Sequence, residues 1–347
     1  LYVIGLINTE DFAYAGMDLT SKLSLIVFPV IFSFRSNFDL KFIWKGLILI
    51  GVTSLLVSIV DSYYVMQSDS TLKWKAFTGS HLGYKIHTTY LSWFFTLLIV
   101  VLTHFNLNKK QIFNRAVDWF LIFVFIAHVV LLNSFAGILL LPIVACLFGL
   151  SILYKKYKKK GVILSVIVAC ALMGAAYMVP SVKSDVDRGV VELKTAFTKR
   201  PFYFRNNKNQ TESLKARALL WSVAVEKVQE KPMGYGTGDG KNEFVKACKS
   251  YDLRVGKKEL NPHNQYFQTT LAIGVIGLFV LVLMILTIMW YAIKKRNFIL
   301  FFMILSMAFH CLFESILELQ SGIVFFTLVT CLLINQQFKL DEYQLKE

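Results

Sequence analysis

Hydrophobic positions in this chain fall in long unbroken runs separated by short polar segments, with no strict alternation of apolar and polar residues. The runs cover roughly 19–34, 42–60, 85–105, 117–133, 136–154, 161–179, 265–292, 297–313 and 320–336, with a partial one before Asn8. Each approaches the ~20 residues a helix needs to cross the hydrocarbon core. Only helices and closed barrels satisfy their backbone in lipid, and a barrel would show period-two alternation. The pattern therefore predicts an all-α polytopic membrane bundle of about nine or ten spans. It divides into N-terminal transmembrane helices over 1–179, one large loop over 180–262, and C-terminal transmembrane helices with a tail over 263–347. Because the chain opens on Leu1 inside an apolar stretch, further spans upstream are expected.

The polar segments sort into two alternating sets. Arg35–Lys45, Lys109–Arg115, Lys155–Lys160 and Lys294–Arg296 are short and basic, as cytoplasmic loops are under the positive-inside rule. The other set should then face outward: Glu10–Asp18, Asp61–Lys85, Asn133–Gly137, Pro180–Pro262 and the turn near Glu314–Gln320. The tail from Gln337 should end inside. A net charge of +15 raises the question of nucleic acid, but the charge is dispersed among these loops and forms no contiguous basic module. Hydrophobic residues make up 56% of the chain, too many for a soluble domain so interrupted by loops. The five cysteines show no CxxC spacing, so neither a zinc site nor a disulfide framework is implied.

Within the large net-basic loop, Leu214, Arg217, Leu220, Trp221 and Ala224 recur at helical spacing and predict a helix over 212–230. Trp221 one turn from Arg217 suits a helix at the membrane interface. Pro232 ends it, and the run Gly234-Tyr235-Gly236-Thr237-Gly238-Asp239-Gly240 follows as a loop. That run resembles a phosphate cradle only weakly, since Gly240-Lys241 is followed by Asn242 and no strand precedes it.

Residues with chemical potential collect on the outward side, which points to a site open to that face and not to a pathway through the membrane. His263, opening the run His263-Asn264-Gln265 at a span start, could act as a general base. It could equally cap the helix or meet lipid headgroups. Arg217 could grip a pyrophosphate through paired charge-assisted hydrogen bonds, or simply attract anionic headgroups. His87 and Tyr90, in His87-Thr88-Thr89-Tyr90, could touch a lipid-linked substrate or anchor a span at the interface. Ser134 sits in the tight turn Asn133–Gly137. Glu314 and Glu318 are one helical turn apart and could bind a sugar, pair with an Arg, or lie in a solvated turn.

Taken together, these features resemble the O-antigen ligase and polymerase superfamily. The ligase pattern is His, then Asn, Ser or Gln, nine residues, and Gly; His263, Asn264 and Gly274 match it, and Gly277 continues the spacing. Arg217, Trp221, Pro232, Gly234 and Gly236 resemble the family's Arg/Trp helix and Pro-x-Gly-x-Gly run. Glu314-Ser315-Ile316-Leu317-Glu318 with Gln320 and Gly322 resembles its last outward turn, and His87–Tyr90 its His-Pro-x-Tyr-like span start. Relatives often carry a Ser-Arg pair in the tight turn, whereas here Ser134 is followed by Phe135.

The resemblance implies a bacterial inner-membrane, multi-pass protein with a large periplasmic loop, working in lipopolysaccharide biosynthesis. The implied reaction is a metal-independent, inverting glycosyl transfer without cofactor. The donor is a glycan on undecaprenyl pyrophosphate, and the acceptor is a hydroxyl of lipid A-core. His263 and Arg217 would be catalytic, as base and as stabiliser of the leaving pyrophosphate. His87, Tyr90, Ser134, Asn264, Glu314 and Glu318 would bind substrate, and no metal site is implied. An O-antigen polymerase or a protein O-oligosaccharyltransferase would share these features. A transporter of lipid-linked saccharide would carry midplane charges and repeat symmetry that are scarce here. A relative that binds lipid-linked glycan without catalysis is a further alternative.

Overall fold

The computed structural model describes residues 1–34, 38–69, 71–178, 214–251 and 261–344, with a few single helical positions between 187 and 198. Among the described residues all regular structure is helical. In chain order the helices are α1 (Phe12–Lys22), α2 (Ser24–Ser33), α3 (Leu40–Ser68), α4 (Thr88–Leu107), α5 (Arg115–Leu131), α6 (Phe135–Tyr157) and α7 (Lys159–Met178). They continue as α8 (Leu214–Glu230), α9 (Gly240–Ser250), α10 (Gln265–Lys294), α11 (Phe298–His310) and α12 (Gln320–Gln344).

All but α8 and α9, which lie in the segment read as the large loop, fall where the apolar runs place them. Six among the described residues are long and apolar enough to cross a membrane: Phe12–Ser33, Leu40–Ser68, Thr88–Leu107, Phe135–Leu153, Gln265–Lys294 and Gln320–Phe338. Three others coincide with expected spans: α5 with 17 residues, α7 with 20 and α11 with 13. Two expectations at the N-terminus are corrected. The apolar segment before Asn8 forms a short 3-10 turn, Ile4–Asn8. Residues 12–18, expected to lie in a polar loop, are the first turns of α1. The Asp11 carboxylate accepts the Tyr14 backbone N–H at 2.9 Å and so starts the helix earlier than hydropathy alone indicates.

The chain divides into two units. One comprises Val30–Met173, Ala292–Ser306 and Val329–Glu347. At its centre is α4, whose Trp93, Phe95, Leu97, Leu98 and Val100 are fully buried. The Trp93 indole N–H donates to Ser306 Oγ at 2.8 Å, which satisfies a polar group that burial would otherwise strand. Small residues bring the neighbours close: a Cβ at Gly51 of α3 would lie 2.6 Å from Leu98, and one at Gly137 of α6 would lie 2.5 Å from Ser92.

The other unit comprises Leu1–Pro29, Gly174–Tyr291 and Met307–Leu328. Its organising feature is a break in α10, where Ile273 (φ −127°, ψ 19°) and Gly274 (φ 72°, ψ −174°) leave helical geometry. Backbone groups released by such a break need partners in an apolar setting. The segment Pro232–Gly236 supplies them: Tyr235 N–H donates to Leu271 O at 2.8 Å, Gly236 N–H to Ala272 O at 3.0 Å, and Val275 N–H to Pro232 O at 2.9 Å. Side chains at this junction would collide, since a Cβ on Gly274 would stand 2.5 Å from the Met233 backbone. The Gly-rich run is therefore a strap paired with a broken helix.

A Gly274→Ala substitution combines an unfavourable left-handed φ with a backbone collision, and is expected to cost at least about 2 kcal/mol. Gly16→Ala, in α1 with nothing within 4 Å of the added Cβ, should instead be neutral or stabilise by up to about 1 kcal/mol. Thermal melting of the two variants in the same detergent checks the contrast.

Candidate active site

His263 stands immediately before α10, in a left-handed backbone conformation (φ 46°) that non-glycine residues rarely adopt. Two contacts hold it there. Its N–H donates to Asn261 Oδ1 at 2.9 Å, and the carbonyl of the preceding Pro262 accepts the Trp221 indole N–H at 3.0 Å. The helix cap is the next residue. Asn264 Oδ1 accepts the Phe267 N–H at 3.1 Å, and its amide donates to Leu312 O at 3.1 Å. Capping by Asn264 leaves the His263 ring available for another partner.

That partner is Glu314. His263 Nδ1 lies 3.1 Å and 3.2 Å from the two carboxylate oxygens. A carboxylate only accepts, so Nδ1 carries the proton in this pair. The His263 side chain is 24% exposed and that of Glu314 only 7%. Glu314 is braced by its own backbone, with its N–H donating to His310 O and one oxygen accepting the Ser315 N–H at 3.1 Å.

Arg217 lies within electrostatic reach of the same carboxylate. It emerges from α8, whose Ala218, Leu219, Leu220, Val223 and Ala224 pack with Tyr235 of the strap, Phe244 and Cys248 of α9, and Leu271 of α10. Burial pulls the Arg217 guanidinium below its ordinary value, and the Glu314 charge opposes that shift. Its Nε is buried without a hydrogen-bond partner among the described residues. A buried cationic donor lacking an acceptor is suited to an incoming anion.

Glu318 is engaged differently. Lys22 Nζ lies 3.2 Å from its Oε2, and Gln265 Nε2 donates to its Oε1 at 3.0 Å. Burial alone would raise this carboxyl; the Lys22 charge and the Gln265 hydrogen bond more than offset that and hold it below the ordinary carboxylate range.

The remaining predicted residues belong to the other unit. His87 is exposed and caps α4, its Nδ1 accepting the Thr89 N–H at 3.3 Å. Tyr90 is buried, its ring edge-on to His87 with centroids 6.1 Å apart. Ser134 is buried at the start of α6, and its Oγ accepts the Gly137 N–H at 3.5 Å. Three participants escaped the sequence reading: Lys22 and Asp18, an i,i+4 pair of opposite charge inside an apolar stretch, and Gln265. The spacing of the first two was a legible signal.

Fold and site define an all-helical, multi-span membrane protein with a His–carboxylate pair and a buried Arg at the mouth of a broken helix. The O-antigen ligase family matches residues 120–282. It is also 31% identical over 207 residues to an uncharacterized protein of Haemophilus influenzae (strain ATCC 51907 / DSM 11121 / KW20 / Rd). That alignment covers 58% of this chain and 49% of the relative, so the chain spans about half the length of the curated relative it matches.

Burial pushes the Cys248 thiol in the α8–α9 core up to about 12. In a variant retaining Cys248 as its only cysteine, maleimide labelling at neutral pH should be negligible when folded and complete after denaturation. Rapid labelling of the folded protein would show that the core carrying Arg217 is open.

Proposed function

We propose that this protein transfers a glycan from undecaprenyl pyrophosphate to an acceptor hydroxyl on the outer face of the inner membrane, with lipid A-core as acceptor. The observation that carries this reading is the His263–Glu314 pair, with the Arg217 guanidinium near enough for the Glu314 charge to act on it. The short basic segments at 35–45, 109–115, 155–160 and 294–296 support an orientation in which this end of the bundle faces the periplasm.

In the proposed step Glu314 holds Nδ1–H and orients the ring, so that Nε2 takes the proton of the acceptor hydroxyl. The acceptor oxygen bonds to the anomeric carbon as the bond from that carbon to the pyrophosphate oxygen breaks. The electron pair leaves with the pyrophosphate, whose growing charge falls to the buried Arg217 guanidinium. Direct displacement inverts the anomeric centre. The donor is already activated, so no nucleotide is needed, and Arg217 fills the charge-stabilising role that a metal serves in other transferases. Asn264 and Glu318 shape the site through the hydrogen bonds described above.

Transfer should be measured with purified full-length protein, undecaprenyl-pyrophosphate glycan and lipid A-core, in the presence of chelator. His263→Ala is expected to lower kcat by roughly a hundredfold or more. Glu314→Gln, which keeps shape but loses the charge that orients the ring, should lower it by about tenfold or more. Arg217→Ala should weaken donor binding and turnover together. Wild-type activity in His263→Ala would remove the base from the mechanism. Product with a growing glycan or a protein hydroxyl, but none with lipid A-core, would reassign the acceptor to a polymerase or protein glycosylation.

A further inference from the structure

Beside the open His263–Glu314 pair lies a closed cluster around Glu318, whose Lys22 and Asp18 the mechanism above does not use. Lys22 and Asp18, one turn apart on α1, form a buried ion pair, with side chains 6% and 5% exposed. Lys22 also pairs with Glu318 at 3.2 Å and lies over the Tyr2 ring at 4.3 Å from its centroid. Asp18 and Glu318 are near neighbours, since both carboxylates reach the same Lys22 Nζ. Two carboxylates thus share one ammonium in a buried place, where either alone would be costly.

The cluster is wired to the site by hydrogen bonds. Glu318 Oε1 accepts from Gln265 Nε2, Gln265 Oε1 accepts the Leu317 N–H at 2.7 Å, and the Gln265 N–H donates to Cys311 O at 2.8 Å. Gln265 is two residues from His263, while Cys311 and Leu317 flank Glu314. The turn that presents the carboxylate and the helix start that presents the imidazole are therefore fastened together through one glutamine. Lys22 neutralises the glutamate that orients this glutamine.

We propose that Lys22 is a positioning residue for the His263–Glu314 pair, acting through Glu318 and Gln265. Without the ammonium, Asp18 and Glu318 face each other as uncompensated like charges, and the turn must move or take up a proton. Such a movement separates Glu314 from His263 without unfolding α1. This role rests on the proposed function only for its effect on turnover; the geometric effect stands on the cluster itself.

Two measurements on the full-length protein test it. In NMR of isotope-labelled histidine, the His263 Nδ1 signal, assigned by its loss in His263→Ala, reports the bond to Glu314. Lys22→Met is expected to shift or broaden it, and Lys22→Arg to leave it in place. In the transfer assay Lys22→Met should lower kcat by roughly ten- to a hundredfold with KM for the donor little changed. Lys22→Arg should keep most of the activity. Adding Asp18→Asn to Lys22→Met removes the like-charge pair and offers Glu318 an amide donor, and should recover both the signal and the turnover. An unmoved signal in folded Lys22→Met overturns the proposal, whether or not kcat falls, and so does a double variant no better than the single one. A wild-type protein that transfers nothing, yet whose His263 signal moves in Lys22→Met, would refute the proposed reaction and support the positioning role.

Discussion

Backbone hydrogen bonding at the break in α10 is the constraint from which the site-bearing unit follows. Ile273 and Gly274 depart from helical geometry inside a strongly apolar helix, and the released groups are paired by Pro232, Tyr235 and Gly236. That pairing brings the strap so close that a Cβ at Gly240 would lie 2.8 Å from Ala272. Gly240 opens α9, and α9 with α8 encloses the core from which Arg217 emerges. His263 opens the same α10 about three turns earlier. One broken helix thus sets the place of both the imidazole and the guanidinium.

The two carboxylates of the turn before α12 show how similar residues acquire different tasks from their surroundings. Glu318 is closed off: an ammonium and an amide satisfy its two oxygens, and its neighbours pack around Tyr2 and α1. Glu314 is four residues away but meets a partly exposed imidazole and lies in the field of a guanidinium whose Nε has no acceptor among the described residues. A saturated cluster stiffens its surroundings, whereas one with an unmatched buried donor is suited to a ligand. The difference comes from which groups are already paired, and not from the identity of the acids.

Much of this architecture was legible in the sequence because membrane spans impose a strong, local signal. The apolar runs located α3, α4, α6, α10 and α12, and helical spacing placed α8 around Arg217 and Trp221. What hydropathy could not show were events decided by single polar atoms. Asp11 capping Tyr14 moved the start of α1 back into a segment that reads as a loop. Asn264, and not His263, proved to be the cap of α10, because its amide reaches both Phe267 and Leu312. The break at Gly274 lies in a run with no polar residue to mark it. Its partner strap is about 40 residues earlier in the chain, so only tertiary pairing reveals why glycine stands there.

The extent of the family match fits this division of labour. Residues 120–282 include Arg217, the strap, His263 and Gly274, but end before Glu314. The carboxylate that the imidazole pairs with comes from outside that stretch, as do Lys22 and Asp18 near the other end of the chain. An imidazole and a guanidinium can be read from a contiguous pattern, since both are presented by the elements around one broken helix. Their orientation depends on acids and a lysine contributed by two distant segments that the fold returns to the mouth of α10. Chemistry is therefore local in the sequence here, while the electrostatic setting that would make it work is assembled only by packing.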